Sequence, residues 1–587
     1  MSNFLRQYSL FIIGGILLLA FLLRLHRVGT YGIYFDEKST LLISQGIVLE
    51  GANQKDVFTK EYFTPKDFWK PKTLADFIEA NIRGDIGNSP TYYGILWLWM
   101  EVFGLSDLSM RFPSVLFSTL TVLLLYVFVR RHFRSESLAL ASAGLAAVEP
   151  FFIAYSHMAR NYSLSFFLTL LATHLFLLLL KRTENQERAT GLYVGYGLVF
   201  VLSVLSHYLT VTVFLCHGLY ALLYLRRPKT WVALAGTAAV GLGLISLWFL
   251  FGGGKYTFFT LNYQANLYRT MALTRPYDNP FGVILPATLP NIGVRAVPIF
   301  SDLFIFTNGM GNLLMGLRNT LLALGLGLLA TLLIHTYRRQ ANPPGWVKVA
   351  LPVVLLAGLP LYTVVPIRFV TLSAALPLFY LIGVAIAAVR DRHDKQLLVL
   401  MGLLAFVPTL FLLFMAWRSG HTFGITQRYS GFSFPYVIIL VAMGLHQLAG
   451  LRAWFRWPLV AALLVQAYFV AKLLLLIYAD AEPKYTYFGK PRIANPYWES
   501  AKKIEAMYAP GDTILYPNVK RLELTDMDRS FSRLALFDAQ LVNVYLPKDA
   551  EYPQRIDPYE PDKIVLVKGR TGQRIVIYDL KGKTYRY

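Results

Sequence analysis

The chain has 587 residues, 55% of them hydrophobic and only 15% charged, with a mean hydropathy of +0.47. A soluble chain of this length carries nearer a quarter charged residues, so the composition excludes an ordinary soluble globule. The formal net charge of +22 does not argue for a nucleic-acid partner. No basic segment with interleaved aromatics lies outside the apolar blocks, and membrane proteins collect Lys and Arg on one set of loops and beside anionic head groups.

Apolar blocks of roughly 18 to 25 residues recur along the chain, the length that carries a helix across the hydrocarbon. They predict an α-helical polytopic membrane protein with about thirteen spans. The predicted spans are 8–25, 111–129, 137–154, 162–180, 191–206, 209–225, 231–251, 312–336, 347–365, 369–389, 396–416, 432–450 and 457–478. Arg6 and the apolar run after it look like a leader. No small-residue cleavage site follows, and Leu22-Leu23-Arg24-Leu25-His26-Arg27 stands there instead, so an uncleaved first span is expected. The lone cysteine, Cys216, lies inside an apolar block and can build neither a disulfide nor a thiolate metal site.

Orientation follows from Lys and Arg in short connections. Arg130/Arg131/Arg134, Lys181/Arg182/Arg188, Arg226/Arg227/Lys229, Arg338/Arg339/Lys348, Arg390/Arg392/Lys395 and Arg452/Arg456 share one side, which is expected to be cytoplasmic. The short connections of the other side hold only Arg160, Arg368, Arg418 and Arg428. Arg24 and Arg27 fall on that outer side, against the trend, which suggests another task for them. Two large loops, 26–110 and 252–311, are expected outside. So is a tail, 480–587, that follows the membrane body 1–479. The tail is charged and alternating, which predicts a small α/β domain: a helix at Glu499–Tyr508 ended by Pro510-Gly511, and strands at Asp512–Tyr516, Leu541–Leu546, Lys563–Val567 and Arg574–Tyr578.

Five sets of residues fall on the outer face near the membrane. Asp36-Glu37-Lys38 lies about ten residues past the first span, counted on the spacing used for span ends. Adjacent side chains diverge, so two jobs are expected of the two acids. A carboxylate there can deprotonate an acceptor hydroxyl, or merely cap the helix predicted to start near Ser39. Asn88-Ser89-Pro90-Thr91-Tyr92-Tyr93 opens a short aromatic helix suited to the interface. Glu149-Pro150 and Ala159-Arg160-Asn161-Tyr162 place an acid and a cation at span ends, where ionisable groups are costly. Arg160 can hold a phosphate. His207-Tyr208 and Arg418, His421, Gln427-Arg428-Tyr429 complete the set, and the latter cations can neutralise a leaving phosphate.

In order and spacing these residues resemble the GT-C superfamily of polyprenyl-phosphate-sugar-dependent glycosyltransferases. The protein O-mannosyltransferase-like group, which includes the aminoarabinose transferase of lipid A, is the nearest likeness. The resemblance is carried by Asp36-Glu37, the Pro-Tyr-Tyr helix, Gly104 with Arg111-Phe112-Pro113-Ser114, Ala159-Arg160-Asn161-Tyr162, Ser206-His207-Tyr208, and Arg428-Tyr429 with Pro435. It implies an outward-facing site in a bacterial inner membrane and inverting transfer of one sugar from a polyprenyl-phosphate donor. The acceptor is a hydroxyl of a glycolipid, glycan or protein. It implies Asp36 as base, with Glu37 or Glu149 orienting, and basic and Tyr side chains on the donor phosphate: Arg160, Tyr162, His207, Tyr208, Arg428 and Tyr429, with Asn88 and Tyr92 nearby. A divalent metal serves some members. The family's His or Lys before two prolines is replaced here by Asn88-Ser89-Pro90, and Lys38, Arg83 or Arg160 are the substitutes expected for the lost cation. A ligase or polymerase acting on a lipid-diphosphate glycan, which Arg418–Arg428 in a late outer loop would suit, and a lipid-linked sugar transporter are the rival readings; few buried charges and no repeat speak against the transporter.

Overall fold

A computed structural model describes residues 2–279, 281–481, 485, 492–517, 525–526, 529–530, 535–557 and 559–582. Among them, nine helices are long and apolar enough to cross a membrane: Gln7–Leu25, Asp107–His132, Tyr162–Glu184, Pro228–Phe251, Leu317–Tyr337, Pro366–Ala388, Arg392–Ser419, Gln427–Ala449 and Ala453–Ala479. A pair bent by 54°, Glu136–Val148 with Pro150–Ser156, and three shorter apolar helices, Thr190–Ser206, Tyr208–Tyr224 and Val347–Leu361, complete the bundle. Each of the thirteen predicted spans falls on one of these elements. The chain is a multi-pass, mainly helical membrane protein.

The bend is local chemistry. Pro150 has no N–H to give and sits at the first helical position, while Glu149 is the extended residue before it. The carbonyls left at the end of Glu136–Val148 are taken by Arg24. Its guanidinium donates to Ala147 O and Ala146 O at 3.0 Å each, to Ala20 O at 3.0 Å and to Ser118 Oγ at 2.7 Å. A buried cation on the carbonyl end of a helix also meets the negative pole of its dipole. This is the separate task expected of Arg24, and it is structural.

The first loop folds into short helices, among them Phe35–Ser44, Leu74–Asp85 and Pro90–Phe103. Leu74–Asp85 ends in left-handed residues Ile86 and Gly87. A Cβ on Gly87 would stand 2.0 Å from Gly253 O, so only glycine lets the two loops touch.

The tail carries a four-stranded sheet. Thr513–Pro517 runs parallel to Gln554–Asp557 and antiparallel to Lys563–Val567, which pairs with Arg574–Asp579. The predicted tail helix is observed at Pro496–Met507, started by the Asn495 side chain. One prediction fails: Leu541–Leu546 is not a strand, because 541–545 belong to the helix Ala535–Tyr545. Its residues 537–544 are all buried, so the pattern has no exposed side by which to tell 3.6 from 2.0. The parallel strand Gln554–Asp557 was not expected.

The tail packs on the first loop. Phe63 and Gln554 exchange backbone hydrogen bonds at 2.9 and 2.8 Å, Trp69 Nε1 donates to Asn543 O at 3.0 Å, and Gln540 Nε2 donates to Val48 O at 3.0 Å.

Candidate active site

Asp36 and Glu37 lie in the first turn of Phe35–Ser44, where negative charge suits the helix N-terminus. Their surroundings differ. Glu37 is fully buried, and its Oε1 and Oε2 each accept from Arg111 at 2.8 Å. Oε1 also accepts from Ala159 N at 2.7 Å and Oε2 from Tyr34 N at 3.1 Å. Arg111 spends its remaining donors on the carbonyls of Val28, Tyr31 and Gly32, at 2.7, 2.7 and 2.9 Å. All five guanidinium N–H groups are thereby used. Burial alone pushes the Glu37 carboxyl up, but the Arg111 pair and the Ala159 N–H hold it below the ordinary glutamate value. The capping alternative read from the sequence is thus Glu37's role.

Asp36 turns the other way. Its side chain is 16% exposed, and Oδ2 lies 3.4 Å from Arg428 Nη1. Its backbone carbonyl accepts from Thr40 Oγ1 at 2.9 Å and from Arg160 Nη1 at 3.4 Å. Arg160 Nη1 also donates to Thr40 Oγ1 at 2.9 Å, and Nη2 is 3.7 Å from Asp85 Oδ1. The Tyr93 hydroxyl donates to Asp85. Burial raises the Asp85 carboxyl above its usual range, with Arg160 and Tyr93 opposing it. Arg160 Nε is buried and has no acceptor among the described residues. Arg428 lies over the ring of Tyr429, 4.9 Å from its centroid. The Tyr429 ring stands 5.6 Å from His207, and His207 5.9 Å from Tyr162. The sequence candidates Asp36, Arg160, Tyr162, His207, Arg428 and Tyr429 therefore converge on one region.

Others stand apart. Glu149 is buried and caps the helix after the bend, accepting from Phe151 N at 3.4 Å, with Arg24 and Tyr485 as charged or polar neighbours. Lys38 is buried and faces the ring of Tyr497 in the tail at 5.4 Å. Arg83 pairs with Glu79 one turn back at 2.6 Å. Tyr92 bonds Ser114 Oγ at 3.2 Å, and Tyr208 donates to Gly87 O at 2.6 Å. The backbone N–H of Asn88 closes the turn after Asp85 at 2.8 Å.

Two neighbours escaped the sequence reading. Asp85 has no motif around it and closes the helix Leu74–Asp85, two residues before the Gly87–Gly253 contact. Arg492, from the tail, sits 3.9 Å from Glu37 Oε2 while pairing with Asp480 at 3.0 Å.

The donor set around Asp36 does not suit a divalent ion, which wants several convergent oxygens. The Glu37 oxygens are engaged, Asp85 faces Tyr93 and Arg160, and two guanidinium groups crowd Asp36. Among the described residues the group with metal-ligating spacing is Asp391, His393 and Asp394, at the Lys- and Arg-rich end.

Residues 88–250 match the family described as dolichyl-phosphate-mannose-protein mannosyltransferase. The match bears out the resemblance over the segment that holds Arg111, Arg160 and His207; Asp36 and Arg428 lie outside it. Among solved structures, the chain is similar to the Archaeoglobus fulgidus oligosaccharyltransferase in its apo form, at 15% identity and a TM-score of 0.45, covering 95% of this chain and 62% of that one. It is also similar to ArnT from Cupriavidus metallidurans, apo and bound to undecaprenyl phosphate. There the identity is 13% and the TM-score 0.34, over 94% of this chain and 86% of that one. The chain thus spans 62% of the archaeal protein's length. No curated protein matches it.

Proposed function

We propose that this protein is an integral-membrane glycosyltransferase that moves a single sugar from a polyprenyl-phosphate carrier to an acceptor hydroxyl, with inversion, on the outer side of a bacterial inner membrane. One observation carries the reading most: of two adjacent acids, Glu37 has its oxygens engaged by Arg111 and the Ala159 N–H, while Asp36 keeps a partly exposed carboxylate beside Arg428. Asp36 is the group placed to take a proton, and Glu37 fixes the turn that presents it. The family match over residues 88–250 supports the donor class.

In this mechanism the donor phosphate lies against Arg160 and Arg428, as charge-assisted hydrogen bonds favour. The acceptor oxygen attacks the anomeric carbon as its proton passes to Asp36. The bond from that carbon to the phosphate oxygen breaks, and polyprenyl phosphate leaves with the electron pair. The two guanidinium groups stabilise its growing charge, and they do so before any reorganisation is needed. Arg160 Nε, buried and without an acceptor among the described residues, is a donor ready for such a ligand.

The test uses purified full-length protein and a panel of polyprenyl-phosphate sugars, with release of polyprenyl phosphate as readout. Asp36→Asn is expected to lose at least about a hundredfold in turnover, the scale of general-base catalysis, while its thermal unfolding and donor binding stay near wild type. Wild-type-like turnover in that variant would overturn the assignment.

A further inference from the structure

A second polar site lies at the far end of the helices that carry the first. Arg111 and Arg131 share the helix Asp107–His132, and the chain between them rises roughly 30 Å. There a cleft partly open to solvent is rimmed by Arg131, Arg134, Lys181 and His393, with Glu184 the acid among its lining residues. Its floor is apolar and aromatic, with Leu177, Leu180, Tyr220 and Leu397. His132 is fixed beneath the rim by a 3.0 Å contact between its Nε2 and His174 Nδ1.

The charges in this cleft are unbalanced. Neighbouring Arg130 and Arg182 pair with Glu136 and Glu187. Among the described residues no carboxylate pairs with Arg131, Arg134 or Lys181. Arg134 also occupies the left-handed region, at φ 54°, which is uncommon for a residue with a side chain.

We propose that this cleft binds the phosphate of an anionic ligand through Arg131, Arg134 and Lys181. Basic pockets between membrane helices attract phospholipid head groups, and the apolar floor suits the glycerol and first methylenes of a phospholipid. The same phosphate chemistry is met by a soluble phosphate, and the experiment separates the two sources. The site is independent of the transfer chemistry at Asp36.

Full-length protein is purified, and bound lipid is counted by native mass spectrometry while phosphatidylglycerol or phosphatidylcholine is titrated. Inorganic phosphate is titrated in a parallel arm. The variant Arg131→Ala/Arg134→Ala/Lys181→Ala is compared with Arg226→Ala/Lys229→Ala/Lys395→Ala, which removes equal charge from the same end outside the cleft. Each surface cation is worth about a factor of five, so the first variant is expected to bind phosphatidylglycerol roughly a hundredfold more weakly. The second is expected to bind like wild type. Arg131→Lys/Arg134→Lys should keep most of the affinity and shows whether lost binding reflects charge or misfolding. If inorganic phosphate binds wild type and not the first variant, with no preference between lipids, the phosphate site stands and its occupant is soluble. Equal losses in both triple variants, or binding of neither lipid nor phosphate, would overturn the proposal.

Discussion

Neighbouring residues with one chemistry part company when their surroundings differ, and Asp36 and Glu37 give opposite mutational signatures for that reason. Glu37→Gln leaves Arg111 buried against a neutral partner, and breaking a buried pair from one side costs about 3–5 kcal/mol. Its expected result is a markedly lower thermal unfolding midpoint and poor yield, where Asp36→Asn unfolds like wild type and loses turnover. A lower midpoint for Asp36→Asn than for Glu37→Gln would reverse the two roles. The acid side of the stability profile has the same origin. The folded-state value of Glu37 is depressed, so its contribution is present above the ordinary glutamate value near 4.5 and fades as pH falls below it. Glu37→Gln should therefore flatten the loss of stability measured below about pH 4.5, the unperturbed glutamate range. The pair itself was legible in the sequence, as was its convergence with Arg160 and Arg428. Which acid is buried was not, because that depends on Arg111, 74 residues further on.

Elements were read most reliably where one solvent dictates them. A span must satisfy its backbone internally and be apolar along most of its length, so hydropathy alone located the nine helices long enough to cross, and the other four predicted spans fall on the bent pair and three shorter apolar helices. The tail lies in water and gives no such constraint, which is why the buried helix Ala535–Tyr545 was taken for a strand over 541–546. The bent span shows what hydropathy misses. Pro150 announces a break, but the group that closes the broken end, Arg24, comes from the first span. Replacing Arg24 by Met orphans the carbonyls of Ala146 and Ala147 at membrane depth. Hydrogen bonds to charged groups contribute about 1.5–3 kcal/mol each, so a loss of about 3 kcal/mol or more is expected. Arg27→Met removes an exposed cation that lies 5.4 Å from the Tyr31 ring centroid and should cost under about 1 kcal/mol. Thermal unfolding of the two variants in one detergent decides the matter, and equal midpoints would show that Arg24 does not hold the bend.

For the whole molecule, the first loop, the tail and Asp36 must share one side of the membrane. The loop and tail are joined by the Phe63–Gln554 backbone pair and by Lys66 with Glu551 at 2.7 Å. Arg492 ties the tail to Glu37, beside Asp36. The Lys- and Arg-rich connections lie at the opposite ends of the same helices, and the proposed outward-facing reaction requires those ends in the cytoplasm, the side on which such a charge bias is expected. Cysteine labelling tests this with little background, since Cys216 is the lone cysteine and is buried. In a Cys216→Ser chain, Lys66→Cys on the loop and Lys502→Cys on the tail are expected to react with a membrane-impermeant maleimide in sealed right-side-out vesicles. Arg182→Cys should react only after detergent. The side chains of all three lysine and arginine positions are more than half exposed, so access and not burial sets the outcome. Labelling of Arg182→Cys alone would put Asp36 in the cytoplasm and remove the outward-facing transfer reaction. Labelling of Lys66→Cys without Lys502→Cys would separate the tail from the loop, and with it the link from Arg492 to the acid pair.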